Sequence, residues 1–336
     1  MSSEHPNNRP HPGARITPST RHSHRFAGAQ LADQQVEAAT RELLERFEAA
    51  EGHQGDRRAA GEAIRYAWSI LTAVGLSDFD AIRNIRTEEY PDTFPVNQHA
   101  LISLALEIVG WYQFGLRPYD IDRTARIFDR CLELTPQNQR ALEKFAIVAT
   151  TIQPENIGGL ARFPKKQRET ALGYRLQCKR KIDNLLLDVF GITEAHLVGQ
   201  TEPSVATLIR ARKERDRSFL FNILGHLSEI NCAVGDFFGN GVQLSLGIGA
   251  ACCQLEMLGL PRDLTHLITL LRSRLDEDSS GEVAGEETDV VCEIMTSVAN
   301  LCDSKWRVFK NHASQRRARE LRSLIEEIEA RRGDAG

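Results

Sequence analysis

The chain has 336 residues, a formal net charge of −4, and a composition of 41% hydrophobic and 26% charged residues. These values are typical of a soluble globular protein with enough apolar surface to fold unaided, in one large domain or two of ordinary size. The overall charge does not indicate a nucleic-acid-binding protein, because it lacks a basic excess.

The seven cysteines are scattered along the chain, mostly at apolar positions of helical patterns. An odd and dispersed set argues against a disulfide framework and favours a reduced, intracellular setting. The first 18 residues hold no apolar run of the kind that a secretory signal needs. We therefore expect an intracellular, cytoplasmic protein.

The pattern of apolar residues predicts an all-α fold. Residues 1–28 are rich in Pro, Asn, Ser, His and Arg and predict a disordered arm, with four Arg against one Glu and a net charge of +3. No segment shows the alternation of a strand. Apolar residues repeat with the helical period in segments near 36–47, 64–74, 77–85, 100–114, 124–134, 142–150, 165–190, 203–234, 237–258, 263–275, 290–309 and 315–332.

Individual residues predict where several helices begin and end. Gly75 and Gly191 are expected stops, because glycine takes the left-handed conformation without steric cost. Ser77, with Asp80 three residues on, indicates the N-cap of a short helix. Pro203 stands where a first-turn proline is tolerated and predicts the start of a long helix to about residue 234.

The clearest prediction is a helical hairpin over 124–150. Apolar residues with i, i+3, i+4, i+7 spacing lie on both sides of Pro136, which cannot continue a helix. Proline also disfavours the α conformation at Thr135, so the chain must turn there. The residues expected in the hairpin core are Phe128, Cys131, Leu132, Leu134, Pro136, Leu142, Phe145 and Ala146.

This hairpin resembles the junction between two tetratricopeptide repeats, whose unit is a 34-residue helix–turn–helix. The residues from Phe128 to Pro136 match the end of one repeat, and those from Leu142 to Ala146 match the start of the next. Upstream, Trp111 and Gly115 fit only if residues 117–120 are an insertion. The resemblance covers residues 101–150, without a second copy, and implies protein binding through a concave helical surface and no catalysis.

The motifs of several enzyme classes do not occur in the chain. Residues 239–244 and 247–252 each lack the third glycine of a dinucleotide-binding loop and follow no predicted strand. No P-loop, H-E-x-x-H, paired C-x-x-C or G-x-S-x-G motif is present. The sequence therefore predicts a non-catalytic protein without cofactor or metal.

Histidines and vicinal cysteines are expected to pack rather than react. His196, His226 and His266 lie beside apolar neighbours in helical patterns. Glu229 follows His226 by three residues, as in metal-binding bundles, but no second helix repeats the spacing. Cys252 and Cys253 point in different directions on one helix and predict buried packing.

One uncharged run, residues 237–255, reaches the length of a transmembrane helix. It contains four glycines and several amide side chains. We therefore expect a buried helix with close neighbours and no membrane span.

Basic residues concentrate in the middle of the chain. Residues 161–217 hold thirteen Lys and Arg against seven Asp and Glu, a net charge of +6. Such a cluster suits contact with a phosphate backbone, and Phe163, Tyr174 and Phe219 lie near enough to stack on bases. The alternative is a set of ordinary solvated helix faces. The residues expected to contact RNA or DNA are Arg175, Lys179, Arg180, Lys181, Arg210, Arg212, Lys213 and Arg217.

The predicted architecture is a two-lobed, solenoid-like bundle of helical hairpins. Its parts are the basic arm (1–28), an N-terminal lobe (29–153), a linker (154–164), a second lobe (165–312) with an acidic loop (276–289), and a charged C-terminal helix and tail (313–336).

The leading expectation is a non-catalytic scaffold that binds other proteins or its own copies. The alternative is a nucleic-acid-packaging protein of nucleocapsid or coat type, which would use the basic segment and the arm. A helical enzyme with an unrecognised site is the third possibility.

Overall fold

The structure, a computed structural model, describes residues 33–52, 57–84, 93–116, 121–154, 157, 162–277, 286–302 and 312–334. Over these residues the chain forms fourteen α-helices and no β-strand element. The predicted all-α class is confirmed. The predicted arm and residues 278–285 of the predicted acidic loop lie outside the described residues. The loop is shorter than predicted, because residues 276–277 and 286–289 belong to the helices on either side.

The helices pack mainly in sequential pairs. A 3₁₀ turn, Val96–Gln98, precedes the fourth helix, and a π turn, Leu186–Phe190, follows the seventh. In chain order the helices are α1 Asp33–Gly52, α2 Arg57–Ala73, α3 Phe79–Asn84, α4 His99–Leu116, α5 Ile121–Leu134, α6 Gln139–Thr151, α7 Pro164–Leu185, α8 Glu194–Leu197, α9 Val205–Ile209, α10 Glu214–Phe238, α11 Gly241–Met257, α12 Leu264–Glu277, α13 Glu286–Cys302 and α14 His312–Asp334.

The chain divides into two compact units, Met1–Val109 and Gly110–Gly336. In the first unit α1 packs against α2, with Leu43 and Phe47 fully buried. The two helices are also joined by a hydrogen bond, in which the Tyr66 hydroxyl donates to the Glu42 carboxylate at 2.9 Å. Residues 155–156 and 158–161 lie outside the described part, so the predicted linker at 154–164 stays a prediction.

In the second unit α5 and α6 form the predicted hairpin. Helix α5 ends at Leu134, and Asn138 caps α6 by accepting the Ala141 backbone N–H at 3.1 Å. The Phe128 and Phe145 rings stack across the pair, 6.4 Å apart. The expected core residues are buried except for Pro136, which is exposed in the turn and acts by ending α5.

Helices α10 and α11 form a second, closely packed antiparallel hairpin. Gly239 has a φ of +62° and ends α10, while the Asn240 side chain caps α11 by accepting the N–H groups of Val242 and Gln243. A Cβ at Gly235 would lie 2.7 Å from Leu244, so only glycine permits this helix separation. Helices α12, α13 and α14 complete the unit around buried Leu267, Met295, Val298 and Leu321.

Two predicted helix boundaries are wrong. The helix expected from 203 to 234 is broken into α9, which Ser204 caps, and α10, which begins at Glu214. The short helix after Gly75 is capped by Asp78, whose carboxylate accepts the Ala81 N–H at 2.8 Å, and not by Ser77. A local side-chain acceptor sets the start of α9 and of the short helix, whereas α10 begins after Lys213 without a side-chain cap.

The expected stops at Gly75 and Gly191 are confirmed, with φ angles of +88° and +70°. The uncharged run 237–255 forms the end of α10 and most of α11, which is largely buried. Among the described helices, none is long and apolar enough to span a membrane.

Candidate functional site

The cations in the middle of the basic segment, residues 161–217, form contacts within the protein. The half-buried Arg175 guanidinium donates to the backbone carbonyl oxygens of Ala149 and Ile152, at 3.2 and 3.0 Å. Burial lowers the pKa of Arg175. Arg175 therefore caps the end of α6, and its donors point into the protein.

Lys179 and Lys181 are also engaged. The buried Lys179 ammonium lies 2.5 Å from Asp183 and 3.1 Å from Glu194. Burial alone would lower the pKa of Lys179, but the hydrogen bonds to the two carboxylates raise it. Lys181 lies 3.5 Å from Asp129. Of the four predicted contacts on α7, only Arg180 is fully exposed.

The second predicted group, at 210–217, is exposed. Arg212 lies over the Phe190 ring at 5.5 Å and donates to the Val189 carbonyl oxygen at 3.0 Å. Arg217 forms an ion pair with Glu214. Arg210, Lys213 and the neighbouring Arg215 have no ion-pair or side-chain hydrogen-bond partner among the described residues. These three cations form a surface that we call the α9–α10 basic loop.

A further basic surface, absent from the predicted contact residues, lies at the start of α7. Phe163 has 59% of its surface exposed. The first turn of α7 contains no acidic residue, and Glu169 in the second turn lies 3.9 Å from Lys165. We call this surface the α7 basic end, and it consists of the exposed residues Arg162, Phe163, Lys165, Lys166 and Arg168.

Of the three aromatic residues that the sequence offered for base stacking, Phe163 alone is accessible. Tyr174 is buried and donates its hydroxyl to Asp122, and burial raises the pKa of this phenol. Phe219 is buried against Phe190, with ring centroids 6.2 Å apart. Arg212 contacts Val189 and Phe190, just beyond the far end of α7, and the 22 residues of α7 span about 33 Å, so the α7 basic end and the α9–α10 basic loop are well separated.

An exposed apolar cluster lies where α10 meets α11. We call it the apolar tip, and it consists of Phe237, Phe238 and Val242. Phe238 is 59% and Val242 65% exposed, and the two Phe rings meet edge to face at 5.0 Å. The tip borders a groove of about 1480 Å³ whose charged lining has both signs: Glu194, Arg262, Asp263 and Arg317.

A smaller cavity of about 670 Å³ lies between α9, the first half of α10 and the end of α11. We call it the α9–α10 cavity. Arg210 and Arg217, both predicted nucleic-acid contacts, stand at its mouth together with Ser218.

His196 and His226 lie at least partly buried in the fold, whereas His266, also expected to pack, is 81% exposed, with its Nδ1 atom 4.0 Å from Asp263. His196 accepts the backbone N–H of Thr193 at 3.2 Å, within the capping box of α8. Burial lowers the pKa of His226 and raises that of Glu229. In the described part of the chain, no group of three or more His, Cys, Asp or Glu is arranged to hold a metal ion.

The cysteines form no disulfide. Cys252 and Cys253 are buried on α11, and burial raises the pKa of each thiol to about 12. A thiol of such a pKa is almost entirely protonated at neutral pH and is a poor nucleophile.

Comparison of the chain with family models, curated proteins and solved structures finds no match. The likeness of the α5–α6 hairpin to a tetratricopeptide junction therefore rests on its own residues. The structure shows an all-helical protein of packed helix pairs, without a family assignment.

Proposed function

We propose that this chain is a non-catalytic helical scaffold that binds another protein or a second copy of itself, and that the apolar tip is its contact surface. Exposed apolar clusters rimmed by polar residues mark interaction sites in soluble proteins. Each Phe or Val side chain that a partner covers completely would contribute about 1.5–3 kcal/mol. The exposure of the tip is the observation that carries the proposal.

The tip is held in place by the hairpin beneath it. Asn240 and Gly239 fix the turn, and the close approach of Gly235 to Leu244 fixes the spacing of the two helices. Phe238 and Val242 are thus presented by a rigid element, which lowers the entropy lost on binding. The α5–α6 hairpin offers less open surface, because α7 and α10 pack against α6.

The test is the double variant Phe238→Ser, Val242→Ser. We expect it to lower the molar mass measured by light scattering after size exclusion, or to abolish capture of a cross-linked partner identified by mass spectrometry. Phe163→Ser is the matched control, since Phe163 has the same exposed fraction as Phe238 and is not part of the apolar tip. An unchanged molar mass together with unchanged partner capture would refute the proposal.

A second candidate function is nucleic-acid binding, and the α7 basic end favours it. Four exposed cations lie within five residues of one exposed aromatic ring, and single strands need both for backbone contact and base stacking. Cations in the first turn of a helix are also unfavourable for the helix dipole. A bound phosphate would relieve that repulsion.

Anisotropy of a labelled oligouridine tests this candidate. The triple variant Arg162→Gln, Lys166→Gln, Arg168→Gln should weaken binding and reduce the slope of log affinity against log salt by about 2, since each lost phosphate contact contributes about 0.7. Arg180→Gln is the control on the same helix. Binding with an unaltered salt slope in the triple variant would exclude the α7 basic end as the interface.

A further inference from the structure

The α9–α10 cavity has a volume of about 670 Å³, and apolar and polar residues contribute about equally to its lining. That volume falls within the range of small-molecule sites, about 300–1,000 Å³. The apolar part of the lining comes from α9, α10, the end of α11 and the start of α13, so the cavity lies where four helices meet. This apolar part consists of Ala206, Ile209, Phe221, Met257, Leu258 and Val290.

Most charged and amide groups at the cavity already have partners. Glu214 pairs with Arg217, and the Asn222 amide donates to Glu143 at 2.7 Å. The Glu256 carboxylate lies 3.9 Å from the Arg262 guanidinium, although its buried Oε2 accepts no hydrogen bond within the described residues. These groups therefore contribute little net charge to a molecule in the cavity.

Arg210 is the exception. It is the residue directly after α9, it is exposed, and its guanidinium has no hydrogen-bond or ion-pair partner in the part of the chain that the structure describes. Ser218, one of the other lining residues, is likewise exposed and offers a hydroxyl with no described partner.

We propose that the α9–α10 cavity binds a small anionic amphiphile, a molecule with one carboxylate, sulfonate or phosphate head on an apolar or aromatic body. The head pairs with Arg210 and accepts a hydrogen bond from Ser218. The body lies against Phe221 and Met257. A guanidinium suits this task because it presents several donors to an oxyanion in a fixed geometry.

This site is independent of the proposed scaffold. The cavity lies at the start of α10 and the apolar tip at its end, and the 25 residues of α10 span about 37 Å. Loss of one activity is therefore measurable without loss of the other.

Isothermal titration calorimetry with naphthalene-2-sulfonate, decanoate and AMP tests the proposal on the full chain. We expect saturable one-site binding of at least one probe, and the three bodies distinguish aromatic, acyl and nucleotide ligands. Arg210→Gln should raise the Kd of the bound probe about tenfold, the effect of one charge-assisted hydrogen bond. Arg215→Gln, an exposed cation outside the cavity, should change it less than about twofold.

Filling the cavity separates the apolar contribution from the charge. Ala206→Trp should abolish binding of the probe and of its uncharged analogue, and Leu258→Trp on the opposite wall serves if the first variant unfolds. The proposal is overturned if none of the three probes binds at millimolar concentration. It is equally overturned if Arg210→Gln and Arg215→Gln weaken binding to the same extent, or if neither does.

Discussion

The Lys179 ammonium lies 3.1 Å from a carboxylate oxygen of Glu194, a residue 15 positions further along the chain. The same ammonium lies 2.5 Å from Asp183, one turn along α7. This contact joins α7 to α8 across the π turn Leu186–Phe190. A residue that the sequence suggested for nucleic-acid contact thus has a structural role.

Lys179→Ala should destabilise the protein, because it leaves Asp183 and Glu194 without their shared cation. We expect a loss of about 2 kcal/mol in the free energy of unfolding, below the range for fully buried pairs because Glu194 is half exposed. Arg180→Ala, the exposed neighbour, should change it by less than about 0.5 kcal/mol. Urea unfolding measures both, and equal values would contradict the structural role.

The helices of the second unit were largely predictable, because their apolar period is strong and their ends carry local signals. Pro136 and Gly191 act through their own backbone preferences, which the sequence displays directly. The break at 210–213 was not predictable in this way. It is accompanied by contacts of Arg212 with Val189 and Phe190, residues that precede it by about twenty positions.

The exposure of the predicted nucleic-acid contact residues was also less predictable, because it depends in part on contacts between separate segments of the chain. Lys179 and Arg180 are adjacent on α7 and have similar side chains, yet one is buried and the other exposed. Lys179 shares the buried face of α7 with Leu172 and Ile182, and the following segment supplies its partner Glu194. A count of charges cannot contain that information.

The sequence names Phe163 together with Tyr174 and Phe219 for base stacking. Its position between Arg162 and a proline-initiated basic turn distinguishes Phe163 from the other two as an exposed residue.

Two helical glycines should respond to alanine in opposite directions. A Cβ at Gly249 of α11 would lie 2.9 Å from the Leu197 carbonyl carbon and closer still to its oxygen. The backbone there must shift, so we expect Gly249→Ala to cost about 2–4 kcal/mol in the free energy of unfolding. A Cβ at Gly173 of α7 would meet nothing within 4 Å. Gly173→Ala should therefore stabilise the protein by about 0.5–1 kcal/mol.

Thermal and urea unfolding of the two glycine variants show whether close packing or the higher helix propensity of alanine decides the effect at each position. If both variants were stabilised, α11 would not approach the 197–198 backbone as closely as the structure shows. If both were destabilised, α7 would be covered at Gly173.

The thiols of Cys252 and Cys253 should resist alkylation in the native protein. Each pKa is raised to about 12 by burial, against about 8.5 for a free cysteine. At pH 8 the thiolate fraction is then lower by roughly three orders of magnitude. Maleimide labelling followed by peptide mass spectrometry should show both residues unmodified in buffer and modified in urea. Rapid native labelling of either cysteine would contradict its burial.

The half-buried His226 should make stability depend on pH below the ordinary histidine pKa. Burial lowers its pKa, although the Glu143 carboxylate acts in the opposite direction. Below about pH 6.5 the unfolded chain therefore binds a proton that the native protein does not. The free energy of unfolding consequently decreases as the pH is lowered. His226→Gln removes this proton. The free energy of unfolding of the variant should rise relative to that of the wild type by up to about 1.4 kcal/mol for each pH unit below 6.5. This rise ends when the pH reaches the pKa of His226 in the native protein.

Comparing the two proteins at each pH isolates His226 from the neighbouring Glu229. Burial raises the pKa of Glu229, so its protonation favours the native state as the pH falls and its contribution has the opposite sign. Because Glu229 is present in both proteins, that contribution cancels in the difference. Urea unfolding at pH 7.5, 6.5 and 5.5 gives the difference directly. A value that stays constant across this series would mean that His226 takes up its proton as readily in the native protein as in the unfolded chain.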